Sequence, residues 1–225
     1  MLDKKALLCA ADGGYTMALF GLLKRKKRIK GVIGSLGLED WWLSTFLDDE
    51  RKYIENKFQP FGLPEGSLTS GDFSYTSQTA VHLLYALPGW FLKEEERHIA
   101  YRLLEKAEEL SKSESRVLTV HFLYGDKIEL YYRDRDKPQY LEKAVEACKQ
   151  QIELAPKAAD AFKTEANWGD LPLPGHKGYE QLAIILEKQK NYKEAIELCS
   201  QAEKQGWAGD WQKRIERCEK KLAKA

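Results

Sequence analysis

Apolar residues recur at helical spacing along most of this chain. From residue 178 to 222 three such patterns follow one another: GYEQLAIILEKQ, NYKEAIELCSQAEKQ and DWQKRIERCEKKL. Upstream, Ser44 and Thr45 are candidate N-caps for a helix reaching about Phe58, with Leu47, Ile54 and Phe58 on one face. Asp48, Asp49 and Glu50 fall in its first turn, where carboxylates suit the helix dipole. A second helix is expected over Tyr75–Leu87, with Val81, Leu84 and Leu87 inward and Pro88-Gly89 as the stop. A third, Trp90–Ser111, places Ile99, Leu103, Ala107 and Leu110 on one stripe. Ser115 can cap a fourth, with Val117, Val120, Tyr124, Ile128 and Tyr131 facing in. Gln139–Leu154 follows, closed by Pro156, and then a shorter helix over Ala158–Asn167. No stretch between 74 and 225 alternates as a strand does, so the pattern predicts an all-α class.

The same pass divides the chain into three. Residues 1–35 form a basic segment with little periodicity, expected to be loosely ordered. Residues 36–73 join an aromatic-rich helix around Trp41 and Trp42 to a linker marked by Pro60, Gly62, Pro64 and Gly66. Residues 74–225 are the helical repeat domain.

Composition narrows the picture only a little. With 43% hydrophobic and 32% charged residues the sequence reads as a folded globular chain. Its longest uncharged apolar run, Met17 to Leu23, is far too short to cross a bilayer. Ala6–Ala11 is too short, and too weakly preceded by charge, for an export signal. Met17 is an alternative initiator to Met1. The four cysteines show no paired spacing, which argues against a disulfide framework or structural zinc and for free thiols in a cytoplasmic protein. Net charge is +1, yet residues 1–35 carry eight Lys or Arg against two Asp. Five of those cations are consecutive: Lys24, Arg25, Lys26, Lys27 and Arg28. Such a block suits an anionic membrane or nucleic-acid phosphates, as well as a solvated tail.

Repeats come next. Ala144-Val145-Glu146-Ala147-Cys148 returns as Ala195-Ile196-Glu197-Leu198-Cys199, and Leu104-Glu105-Lys106-Ala107 as Leu141-Glu142-Lys143-Ala144. The last unit places large residues at Tyr179, Leu182, Leu186 and Tyr192, and small ones at Ala183, Ala195, Cys199 and Ala202. This alternation lets paired helices approach closely. It resembles the tetratricopeptide repeat (TPR), over roughly residues 90–225. Lys190 stands where that family's turn often has Gly, and Gly206-Trp207 replaces its closing Pro. The resemblance implies antiparallel helix hairpins stacked as a TPR-like α-solenoid, with the helix after Asp210 as a C-terminal cap.

Chemistry finds little footing in the sequence. His82, His98, His121 and His176 are scattered, without an HExxH motif or a His/Cys cluster, and no Walker loop or GxSxG elbow occurs. His176 lies near Trp168 and Asp170 after a proline-rich loop, where starting a helix is its expected role. No catalytic, cofactor or metal residue is assigned. The TPR resemblance implies instead a non-enzymatic scaffold or adaptor, binding a peptide or protein segment in a concave groove. Its inner-face positions correspond here to Lys177, Glu180, Ile184, Glu187 and Lys188. The alternative is a peripheral membrane or nucleic-acid binder using residues 17–30.

Overall fold

The computed structural model describes residues 29–71, 78–164 and 171–224. Among these it is mostly helical, as the pattern predicts. Three short helices open it: α1 (Gly31–Ser35), α2 (Glu39–Thr45) and α3 (Asp48–Lys57). Ser44 and Thr45 are not N-caps but the last residues of α2, and the Ser44 hydroxyl donates back to the carbonyls of Asp40 and Trp41. The start of α3 is closed from inside: the Glu50 carboxylate accepts from the Leu47 N–H at 3.0 Å. Leu47 therefore stands outside the helix at 75% exposure, while Ile54 is fully buried. Glu50 also pairs with Arg102, whose hydrogen bond, with help from the Leu47 N–H, holds its carboxyl down at about 2 despite burial.

The expected linker is in fact part of this packing. Gly31 donates to the Gly71 carbonyl, Val32 to Ser67 and Ile33 to Leu68. Glu55 accepts from the Leu68 and Thr69 N–H groups. Gly31 has φ +61°, and a Cβ there would lie 2.7 Å from the carbonyl oxygens of Ser67 and Leu68. Leu68 is buried in the same core as Trp42, Phe46 and Ile54.

Residues 72–77, which include the first three of the helix expected over Tyr75–Leu87, lie outside the described residues. The helix is seen as α4 (Ala80–Ala86), with the Thr79 hydroxyl capping the His82 N–H. Its predicted face is buried: Val81, Leu84 and Leu87. The third expected helix begins later than Trp90. Two 3₁₀ turns, Leu87–Trp90 and Glu94–Glu96, precede α5 (Arg97–Ser111). Pro88 prevents regular α-helix through this corner. Arg97 and Tyr101 of α5 both bind Asp134 at the far end of α6 (Val117–Arg133). Ser115 does not cap α6; the Glu114 carboxylate accepts from the Arg116 N–H instead. Ile128 and Tyr131 are buried as expected, but so are Thr119, His121, Leu123, Lys127 and Leu130, because neighbours cover α6 on several sides. Buried Lys127 reaches Glu108 at 2.5 Å, and burial pulls its pKa down although Glu108 opposes the shift.

The clearest departure follows. Instead of two helices separated at Pro156, α7 runs unbroken over Pro138–Thr164. A proline inside a helix loses one backbone donor and crowds the carbonyl four residues back, at about 3 kcal/mol. Buried residues on both sides hold the helix together: Ala144, Ala147 and Cys148 before it, Ala158, Ala159 and Phe162 after it.

The last region matches the expected sequence of helices, with α8 (Lys177–Lys188), α9 (Tyr192–Lys204) and α10 (Trp211–Leu222). Two short strands, β1 (Leu173–Gly175) and β2 (Trp207–Ala208), pair in parallel. Such brief segments carry no alternation that a sequence pattern could reveal. They tie the start of α8 to the end of α9. Lys190, in the α8–α9 turn, has φ 63°, the left-handed conformation that Gly adopts freely. The thiols of Cys148, Cys199 and Cys218 are free and buried. Burial raises Cys148 to about 12 and Cys199 to about 11, so neither is reactive near neutrality.

Candidate interaction groove

Helices α6 and α8 lie side by side, and a groove of about 310 Å³ runs between them. Their close approach is set by α7 beneath. Buried Gln151 of α7 donates to the His121 carbonyl at 2.8 Å and accepts from the Gly178 N–H at 2.6 Å. Gly178 has no room for a side chain, since a Cβ would lie 2.9 Å from the Cys148 carbonyl. Ile128 and Ile184 supply apolar lining, Tyr132 an aromatic one, and Glu129, Lys177 and Glu180 the polar rim.

Three of the five inner-face residues, Lys177, Glu180 and Ile184, thus line this groove. Lys177 pairs with Glu129, which also holds Arg133 at 3.1 Å. The hydrogen bond from Lys177 leads in lowering the Glu129 pKa. Lys188 stands at Tyr132, donating to its hydroxyl at 3.0 Å with the ammonium 5.5 Å from the ring centre. Glu187 turns away from this groove. It is held by Arg214 at 2.5 Å, Arg217 at 2.8 Å and Lys221 at 3.7 Å, all on α10. Burial works against its charge, but Arg217 and Arg214 outweigh it and its pKa is lowered.

A second hollow of about 260 Å³ lies on the other flank of α6, against α4 and the turn after it. Tyr85, Pro88, Leu92 and Leu130 wall it, Asp126 reaches it, and Glu129 borders both hollows. Asp126 makes no hydrogen bond or ion pair among the described residues. Burial raises its pKa to about 6, Lys177 pulling the other way. Asp126, Glu129, Tyr132 and Arg135 are not among the residues expected from sequence. Extending the inner-face positions from α8 to the equivalent turns of α6 was the available signal.

The histidines do other work. His176 starts α8, its Nδ1 accepting from the Tyr179 N–H at 3.3 Å. It is fully buried against His121 (ring centres 5.1 Å apart) and Trp207 (4.7 Å), while His121 stacks on Trp207. Burial lowers His176 to about 3, with the neighbouring His121 adding to it, and lowers His121 to about 4. Both are neutral at pH 7. No group of three or more His, Cys, Asp or Glu side chains that could hold a metal ion occurs among the described residues. No helix among them is long and apolar enough to cross a membrane. Lys24, Arg25, Lys26, Lys27 and Arg28 lie outside the described residues. The chain matches no family model, no curated protein and no solved structure.

Proposed function

We propose that this chain is a non-enzymatic, cytoplasmic scaffold or adaptor of TPR-like α-solenoid architecture, which holds a peptide or protein segment against α6 and α8. One observation carries the reading: an open groove of about 310 Å³ whose half-buried Ile184 and Tyr132, above buried Ile128, are bordered by charged side chains from both helices. Apolar lining stabilises a bound segment, and a polar rim orients it. The repeated small residues that bring α7, α8 and α9 together are consistent with the architecture. The test is affinity capture with the wild-type chain and with Lys177→Glu/Lys188→Glu, circular dichroism confirming that both are folded. Partners captured by the wild type and lost by the variant are the expected result. An unchanged set of partners sinks the groove assignment.

A further inference from the structure

The charges along this face are not evenly satisfied. Lys177 and Arg133 both pair with the single carboxylate of Glu129, which offsets one of their two charges. On one side of Glu129, Asp126 makes no hydrogen bond or ion pair among the described residues and feels Lys177 only at longer range, in a hollow walled by Tyr85, Leu92 and Leu130. On the other, two cations gather on a single ring. The Arg135 guanidinium lies 4.9 Å from the centre of Tyr132 and donates to its backbone carbonyl at 3.2 Å, and Lys188 donates to its hydroxyl at 3.0 Å. Neither Arg135 nor Lys188 has a carboxylate within 4.0 Å among the described residues. An aromatic ring steadies a cation without neutralising it. The face therefore presents an unpaired acid at one end and two unpaired bases at the other.

We infer that the occupant of the groove is an extended segment that continues across α6 into the second hollow and carries one basic and one acidic side chain, the base meeting Asp126 in that hollow and the acid meeting Arg135 and Lys188 around Tyr132. This rests on the groove reading above and adds the charge and spacing of the ligand. Asp126 and Tyr132 are separated by six residues of α6, about 9 Å along its axis. Because they lie on opposite flanks of the helix, the path between them lengthens to on the order of 12 Å. At about 3.3 Å per extended residue, the two ligand charges are three or four positions apart. A segment with only one of the two charges would leave the other end of the face unanswered. Charge-assisted pairs of this kind supply orientation as well as affinity.

A random heptapeptide library displayed on phage, selected against the full chain, tests this whatever the natural partner is. Selected peptides are expected to pair Arg or Lys with Asp or Glu three or four positions away. Synthetic copies with the two charges exchanged should bind about tenfold more weakly or worse, as loss of one charge-assisted pair implies. Selection against Asp126→Asn should abolish the basic preference alone. Selection against Arg135→Ala/Lys188→Ala should abolish the acidic preference alone. Lys157→Ala/Lys193→Ala, which removes two exposed cations on α7 and α9, should leave both preferences intact. Peptides selected without the charge pair, or with a pairing indifferent to those replacements, would overturn the inference and leave the groove standing. Failure to enrich any peptide would overturn the groove reading itself.

Discussion

Around Trp42 the interior is filled by large side chains, among them Phe46, Leu68, Leu84, Leu87 and Phe91, drawn from separate stretches of chain. Around Trp207 small residues, Ala155, Ala158, Ala159, Ala183, Cys199 and Ala202, make up half of the interior and alternate with Phe162, Tyr179, Trp211 and Ile215, with the imidazoles of His121 and His176 set against the indole. Large side chains fill space between elements whose course is irregular. Small ones let regular helices approach until their backbones nearly touch, and they leave little freedom in register. The second arrangement is therefore the one suited to presenting a groove of fixed shape.

Trp42→Ala strikes the first region hardest, with an expected loss of about 3–5 kcal/mol from the missing apolar contacts and the cavity left behind. Because α6 and α7 contribute to both interiors, urea unfolding should remain one transition, displaced as a whole. A second transition left in place would show that the two regions unfold separately.

Acid discriminates the second region. His176 and His121 have folded pKa values near 3 and 4, against an ordinary value near 6.5. The unfolded chain then binds more protons, so this contribution is fully favourable above pH 6.5 and is lost as pH falls toward 4 and then 3. Each imidazole is worth about 1.4 kcal/mol per pH unit across its window. Asp126, raised to about 6, acts in the opposite direction between about 6 and 4. Glu50 adds to the loss only below the ordinary carboxylate value of 4.5. Comparing the chain at pH 7 and pH 5 with His121→Phe, which keeps an aromatic ring on Trp207, should show a shallower dependence in the variant. Equal slopes would mean that His121 is not held neutral by its surroundings.

The smallest effect concerns a single turn. Lys190→Gly should relieve left-handed strain and stabilise the chain by up to about 1 kcal/mol, less whatever entropy the unfolded state gains. A Tm rise of roughly 2–4 °C is expected for a chain of this size. A lower Tm would show that contacts of the Lys190 side chain outweigh the strain.

The last three helices were legible because each is defined by residues close in sequence: apolar positions three and four apart, and turns marked by Asn191, Gly206 and Asp210. The N-terminal third was less so. That Ser67–Ser70 underlies α1 depends on hydrogen bonds between segments more than thirty residues apart, which no local pattern encodes. The groove was half legible. Lys177, Glu180 and Ile184 are inner-face positions that the TPR resemblance implies, whereas Asp126 and the Arg135–Tyr132–Lys188 cluster gain meaning only when α6 is set beside its neighbours.

By itself, then, the sequence determined the helical class and the register of small and large residues in its last third, because helical periodicity is a property of neighbouring positions. Tertiary structure decided that Pro156 does not end α7, that Glu187 of α8 pairs with α10, and which charges along α6 and α8 make no ion pair. Each depends on what burial on one side offsets, or on which partner a distant segment brings within hydrogen-bond reach.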